Sequence, residues 1–584
     1  MPSQLSLTAQ SAKYLVNNQN TGVSPYTGPA DASTVTAFLT SGGSGTSGIQ
    51  TTPAIGGDGS IYFGTKAGIF YALTPALTLK WSYNSGAAIN SSPALTQNGT
   101  VVFGNDAGVV VGLNVVDGST VWTITFSQSA GSAGTGSDYG FRTAPAIGPD
   151  GTVYIGCNSH ALYGITPGTG GGNATMKAAY YVSGISTSAI TTAPALSPDG
   201  TVVYIAYLDG GNSNLLAINT TQTSNNQYNN VYWSNTGLPG IISQNLCLRS
   251  NLSVCFSVGK TLYAYGPPQS GNTGVRLWSY VNNSDPDPNS GNNNIFSTIT
   301  LNRLGNVCFG DYGGYVSVIE PVIGPNGTGT LLWSYNTGGG AAVSGLITDS
   351  AGTVYAGATN NKVYAINPGT GGGSGSTKWT WQGPANGTGF QTPGAIGANG
   401  ALYMTSYDNN IYAFGPVNGS VVCFLKGTMI LTTRGEVPIE YLTAEDKIVS
   451  GGNIVDGKVS GRQSSADLKC VINFTEDNLH YFSRPICFKK DSMGTNVPNA
   501  DLFVSPLHAV KVGNEMIQAH YLVNGKTIAY DMECDSAEYY HILLDNHSVI
   551  FANNMAAETL VPMDNSHSTD NKLTLENTAA IAVC

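Results

Sequence analysis

The stretch TTPAIGGDGSIYFGTKAGIFYAL at residues 51–73 decides how this chain is read, because it returns. It comes back as SSPALTQNGTVVFGNDAGVVVGL (91–113), TAPAIGPDGTVYIGCNSHALYGI (143–165) and TAPALSPDGTVVYIAYLDGGNSNLLAI (192–218), and a last clear copy is QTPGAIGANGALYMTSYDNNIYAF (391–414). Weaker copies begin near Asn245, Thr298 and Ser344, which makes eight. Self-similarity every ~40–50 residues marks units that bury their apolar faces only by packing on their neighbours.

Each copy reads as three short strands. DG, NG or a related pair separates the first two and AG, GG or NN the next, residues that accept the backbone angles of tight hairpins. Most copies run on into an aromatic fourth strand: LKWSY (79–83), TVWTI (120–124), AAYYV (178–182), VYWSN (231–235), RLWSY (276–280), LLWSY (331–335) and TKWTW (377–381). Seven fourth strands for eight copies leave one copy short. TVTAFLTSGG (34–43) precedes the first copy as LKWSYNSGAA (79–88) precedes the second, so the strand around Thr34–Thr40 is expected to complete the last unit, 394–414. A ring closed by its own two ends has no open sheet edge. The expected fold is all-β, an eight-bladed propeller, with seven blades if one weak copy does not form a blade. Trp81, Trp122, Trp233, Trp278, Trp333 and Trp379 are expected to lock neighbouring blades by large apolar burial rather than to stack a ligand.

The repeat PAI–DGTVYFG–LYAL–LKW resembles the quinoprotein-like (PQQ-type) β-propeller family over residues 34–415. That resemblance implies one of two roles: a quinone-dependent dehydrogenase, or a cofactor-free protein-binding propeller of the kind found in outer-membrane assembly lipoproteins. The dehydrogenases of the family use a carboxylate-lined calcium site and, in many, two adjacent cysteines. No two cysteines are adjacent here, and Asp58, Asp150 and Asp199 fall in hairpin turns. The expectation is therefore a binding module without cofactor, for an unknown protein or glycan.

Composition changes sharply near residue 420. The first 422 residues hold 11 Lys and Arg with 14 Asp and Glu, while the last 162 hold 12 and 20. One histidine, His160, precedes the boundary and six follow it. Expected domains are an N-terminal arm at 1–33, the propeller at 34–420, a compact all-β domain at 421–565 and a tail at 566–584. The formal net charge of −11 argues against a nucleic-acid partner. No apolar run reaches the ~18 residues of a membrane span. The first residues lack the basic and apolar regions of an ordinary signal peptide. Low charge and Asn-x-Ser/Thr triplets at Asn98, Asn173, Asn219, Asn326 and Asn386 suit an extracellular or virion surface. Nine cysteines without CxxC or dense clustering suggest neither a disulfide scaffold nor a structural zinc site; Cys157, Cys255 and Cys308 read as buried thiols.

The chemistry lies after the boundary. CFLKGTMILTTRGEVPIEYLTAEDKIVSG (423–451) reads as a strand pair around the turn TRGE, followed by a short amphipathic stretch. DLFVSPLHAVKV (501–512) is a strand–Pro–His–strand pattern, and YYHILLDNHSVIFANN (539–554) gives strand residues holding two histidines and an aspartate. These blocks, in this order, resemble the Hint domain of hedgehog autoprocessing regions and inteins over residues 423–565. The resemblance implies that Cys423 is the nucleophile. It puts Ser505 and His508 in the Thr-x-x-His block, with Ser505 where the family has Thr. Tyr540, His541, Ile542 and His547 match the C-terminal block, with His541 in place of the usual Asp or Cys. Asp545 is a candidate to orient a histidine, whereas His480, His520 and His567 read as structural or exposed.

The chemistry also follows from the residues themselves. A thiol directly after a peptide bond can attack the preceding carbonyl and turn the Val422–Cys423 amide into a thioester. His508 can protonate the departing nitrogen as general acid. The Ser505 hydroxyl can polarise the amide, a contribution of ~3–4 kcal/mol where such donors have been removed. Cysteine suits the role because a few per cent is thiolate near neutrality. Water or a small nucleophile then resolves the thioester. The chain after the second His block has no terminal His-Asn before a Cys, Ser or Thr, which disfavours splicing, and little beyond the core to recognise a sterol. Single-turnover cleavage before Cys423 is the expectation, with no metal and no cofactor. Its rivals are a structural or adhesive propeller with an inert Hint domain and, last, a quinone-dependent dehydrogenase.

Overall fold

Tight turns organise the first part of the chain. In the computed structural model, Asp58, Asp150 and Asp199 each accept the backbone N–H two residues on, from Ser60, Thr152 and Thr201. Gly59, Gly151 and Gly200 between them take positive φ angles of 77°, 82° and 73°. The same carboxylates receive the lysines of the outer strands: Lys80 reaches Asp58 at 2.9 Å and Lys177 reaches Asp150 at 2.6 Å. Hairpin geometry thus accounts for these acids.

The structure describes residues 9–40, 48–126, 140–182 (without 159–160 and 169–171) and 190–284 (without 191, 210, 222, 225–226, 229–230, 239, 241, 243–244 and 269). It also describes 293–415 (without 323, 325–326, 339–341, 370–372 and 385–388) and 424–558 (without 444, 451–453, 456–457, 460–461, 475–483, 506–507, 514, 532, 535 and 545–548). The chain divides into two compact units, Met1–Val417 and Asn418–Cys584. No helix among the described residues is long and apolar enough to cross a membrane.

The first unit is a β-propeller of antiparallel meanders. Typical is the order Ala54–Ile55, Ile61–Gly64, Ile69–Leu73, Leu79–Asn84, from a two-residue inner strand to an exposed outer one. The last meander, Ala395–Ile396, Leu402–Thr405 and Asn410–Phe414, is completed by Val35–Leu39, with Val35 opposite Phe414 and Leu39 opposite Asn410. The N-terminal strand therefore closes the ring as expected. A parallel pairing of Trp278 and Ser279 with Gly327 and Thr328 fuses two repeats into one eight-stranded sheet, so repeats and hydrogen-bonded sheets do not coincide one to one.

Tryptophans of the outer strands seal the joints. Trp233 and Trp278 are wholly buried, and Trp122, Trp333 and Trp379 nearly so. Trp81 donates its indole N–H to the Val115 carbonyl of the next repeat at 3.1 Å, and a Cβ at Gly118 there would lie 2.6 Å from its ring. Gly274 leaves the same space for Trp233. A second repeated device was not read from the sequence. Hydroxyls just before the inner strands grip a glycine thirteen residues on: Gly64, Gly156 and Gly310 donate their N–H to Thr51, Thr143 and Ser297, and Ser344 donates to the Gly357 carbonyl.

Most strands of the second unit belong to one thirteen-stranded sheet, beside a separate two-stranded pairing of Ile454–Val455 with Lys458–Val459. The turn at Thr433–Arg434 joins Met429–Thr432 to Gly435–Pro438, and the amphipathic stretch forms a 3-10 turn at Ile439–Tyr441. Arg434 clamps the buried carboxylate of Asp446, which also accepts the Thr443 N–H, and these bonds hold the Asp446 pKa down at about 2. The long strand Arg462–Phe474 pairs first with Lys447–Ser450 and then with Ala537–Leu544. Ile430, Ile448, Ile486, Phe488, Val504, Val510, Ile542 and Ile550 belong to a single core.

Candidate functional site

Two backbone segments converge on Phe424. Its residue pairs with Val504 on one side and Tyr540 on the other, so the short strand Phe424–Leu425 is held along both edges. The strand Leu502–Val504 stops where the sequence reaches Ser505-Pro506, since proline brings no N–H to a ladder. His508 donates its N–H to the Ser505 carbonyl at 3.0 Å and so closes the turn. Its own carbonyl accepts the Ala519 N–H at 2.8 Å, which fastens the turn to the 3-10 segment Ala519–Leu522. The next strand, Ala509–Val512, starts at once. Ser505 and His508 are 3% and 0% exposed, and Phe424 is 1% exposed. The Phe424 ring lies against the His508 imidazole, centroids 4.1 Å apart and planes tilted by 56°.

A charged knot fixes the other side. Lys426 bonds Glu538 twice, backbone N–H to carbonyl at 2.9 Å and ammonium to carboxylate at 2.7 Å. Tyr540 donates its hydroxyl to the same carboxylate at 2.5 Å. Burial, and then the negative Glu538, push the Tyr540 phenol up to about 12. Hydrogen bonds from Lys426 and Tyr540 in turn hold Glu538 below the ordinary carboxylate value. Gly427 N–H binds Glu440 at 2.9 Å, which pins the turn that follows Leu425.

Of the residues singled out from the sequence, Ser505 and His508 share one buried turn. His541 sits on the strand Ala537–Leu544, paired through its backbone with Cys470. Val422, Cys423, Asp545 and His547 lie outside the described residues, as do His480 and His567. Sequence reasoning missed Phe424 as the partner of the imidazole, although an apolar residue right after the candidate thiol was there to be weighed. It also missed the Lys426–Glu538–Tyr540 knot, in which Lys426 is over a hundred positions from the other two and carries no local signal. Among the described residues, no group of three or more His, Cys, Asp or Glu is arranged to hold a metal ion.

Two family models match parts of the chain. Residues 422–564 match the family model of the Hint domain, and residues 30–265 match that of outer membrane protein assembly factor BamB. The chain is similar to BamB from Moraxella catarrhalis, at 16% identity over 65% of this chain and 98% of that one, with a TM-score of 0.43. It is also similar to the quinohemoprotein alcohol dehydrogenase ADHIIG from Pseudomonas putida HK5, at 12% identity over 70% and 80% of the two chains, with a TM-score of 0.48. A computationally designed protein, Ika8, gives 16% identity over 64% and 97%, with a TM-score of 0.46. No curated protein matches the chain.

Proposed function

We propose that the chain processes itself: the Hint domain cuts the Val422–Cys423 bond and frees an eight-bladed propeller that acts as a binding module. The observation that carries this reading is the double pairing of Phe424 with Val504 and Tyr540. Phe424 directly follows Cys423 in the sequence, Val504 directly precedes Ser505, and Tyr540 directly precedes His541. The residue after the thiol is thus packed on the imidazole of a buried turn, an environment in which a polarising hydrogen bond counts for more than in water.

The reaction balances within the chain. Cys423 Sγ forms a bond to the Val422 carbonyl carbon, the carbon–nitrogen bond breaks, and the freed α-amine takes a proton that His508 can supply. Water or a small nucleophile then displaces the thiol and leaves residues 1–422 with a free or modified C-terminus. The last strand of the ring ends at Phe414, so a cut after Val422 leaves every sheet of the propeller whole. Candidate participants are Cys423, Ser505, His508, His541 and His547, in a Hint domain of residues 421–565 that follows an arm at 1–33 and the propeller at 34–420.

Intact mass of the purified chain, with and without added thiol, tests the proposal. Fragments of 422 and 162 residues, the second beginning with Cys423, support it, and Cys423→Ala must remove them. A wild-type chain that stays whole under both conditions sinks it and leaves a structural or adhesive propeller with an inert appendage.

A further inference from the structure

Inner strands of a propeller have one edge paired within their sheet and one edge facing the axis, and buried backbone donors there need acceptors. In this ring the acceptors come from residues 9–28. The N–H of Ile55 bonds the Ser11 carbonyl at 2.8 Å, and that of Leu95 bonds Ala12 at 2.8 Å. Leu196 and Leu248 donate to the carbonyls of Asn18 and Gln19, both at 2.8 Å, Leu301 to Thr21 at 2.7 Å and Thr348 to Gly22 at 2.9 Å. All six donors occupy the same place in their repeats.

Where the backbone of this segment is out of reach, carboxamides replace it. Asn18 takes the Ile147 N–H on Oδ1 at 3.1 Å and returns Nδ2 to the Ile147 carbonyl at 2.7 Å, as a neighbouring strand would. Gln10 accepts the Ala398 N–H of the last repeat at 2.7 Å. Gln19 and Asn20 donate to the carbonyls of Leu196 and Leu246 at 2.8 and 3.1 Å. The loop is clasped by Lys13, wholly buried, whose ammonium nitrogen bonds Asn20 Oδ1 at 2.7 Å.

We propose that the end of the propeller axis is a peptide-binding site, which this chain fills in cis with its own residues 9–28. The site recognises an irregular, turn-containing peptide by its carbonyl oxygens, sharpened by Asn and Gln side chains that reach different repeats. It takes no charge from its ligand beyond one buried amine, and apolar side chains anchor the segment as well: Val16 and Tyr26 pack on one blade core and Val23 on another. Leu15 is the largest fully buried apolar side chain of the segment.

The test uses the full chain lacking residues 2–28, with the closing strand Val35–Leu39 retained, and a fluorescein-labelled peptide of residues 9–28. Saturable binding to the truncated chain, none to the intact chain, and at least tenfold weaker binding of a peptide carrying Asn18→Ala, Gln19→Ala and Asn20→Ala are expected. A folded truncated chain that ignores the peptide, an intact chain that binds it equally, or a substituted peptide that binds as well overturns the proposal. Should the truncated chain not fold, Asn18→Ala in the intact chain decides. The Ile147 amide should then exchange with deuterium at least tenfold faster while that of Ile55 is unchanged, and an unchanged Ile147 rate overturns the assignment.

Discussion

The imidazole of His508 and the ring of Phe424 lie 4.1 Å apart at a tilt of 56°. A residue covalently next to Cys423 is thus packed on a residue eighty-odd positions away that closes a buried turn. Contacts of this kind fix a side chain within the tolerances that proton transfer demands.

Phe424→Ala should therefore do two things. Removing a fully buried ring costs about 3–5 kcal/mol in the second unit, and cleavage should slow because His508 loses the surface that orients it. Phe424→Leu, which keeps most of the volume, should restore stability more than rate. Thermal unfolding and a gel time course of the cleavage separate the two effects.

His508→Gln and Ser505→Ala probe the chemistry itself. Loss of a general acid typically lowers a rate by ~10²–10⁴-fold, and loss of one polarising donor by ~10²–10³-fold. Both variants should keep the circular dichroism of the parent while intact chain accumulates. Equal cleavage rates in His508→Gln and parent would remove the imidazole from the mechanism.

Lys13 makes the ring sensitive to alkali in an unusual direction. Burial lowers its pKa from 10.5 to about 7, so the folded ring binds fewer protons than the unfolded chain between those values. The cost of burying the ammonium is then complete below about pH 7 and is relieved as pH rises toward 10. Wild-type stability should climb across that window relative to Lys13→Met, by at most roughly 4 kcal/mol. Denaturant melts of both proteins at pH 6.5 and 9.5 measure the difference, and parallel pH profiles would contradict it.

The joints between repeats are predicted to be tight. Trp233→Ala empties a fully buried site and should cost about 3–5 kcal/mol. Gly274→Ala, which drives a methyl into the same indole, should cost about 1–3 kcal/mol by overpacking. Calorimetry should show both as losses in the propeller transition with the Hint transition unmoved.

Legibility followed the range of the interactions. The DG and NG turns, the tryptophan strands and the closing strand at 35–39 were readable because their patterns repeat, and a local rule links each pattern to a geometry. The thirteen-residue spacing from Thr51 to Gly64 and from Thr143 to Gly156 was equally local, yet it hid behind the louder Pro-Ala-Ile signal. The segment 9–28 could not be read, since irregular backbone bonded through Asn18 and Gln10 has neither strand nor helix period. In the Hint domain the Ser505-Pro-x-His508 block was visible by order. Phe424 and the Lys426–Glu538 pair gain their meaning only when distant strands meet.

Closure by the N-terminal strand sets a schedule for synthesis. Thr40 binds the Asn409 carbonyl across 369 residues. At translation rates of ~5–20 residues per second, that strand leaves the ribosome roughly 20–70 s before its partner exists. During this interval Phe38 and its neighbours have no sheet to join. The partner strand Asn410–Phe414 is the last of the ring to be made, so the ring closes only once nearly the whole first unit has been synthesised.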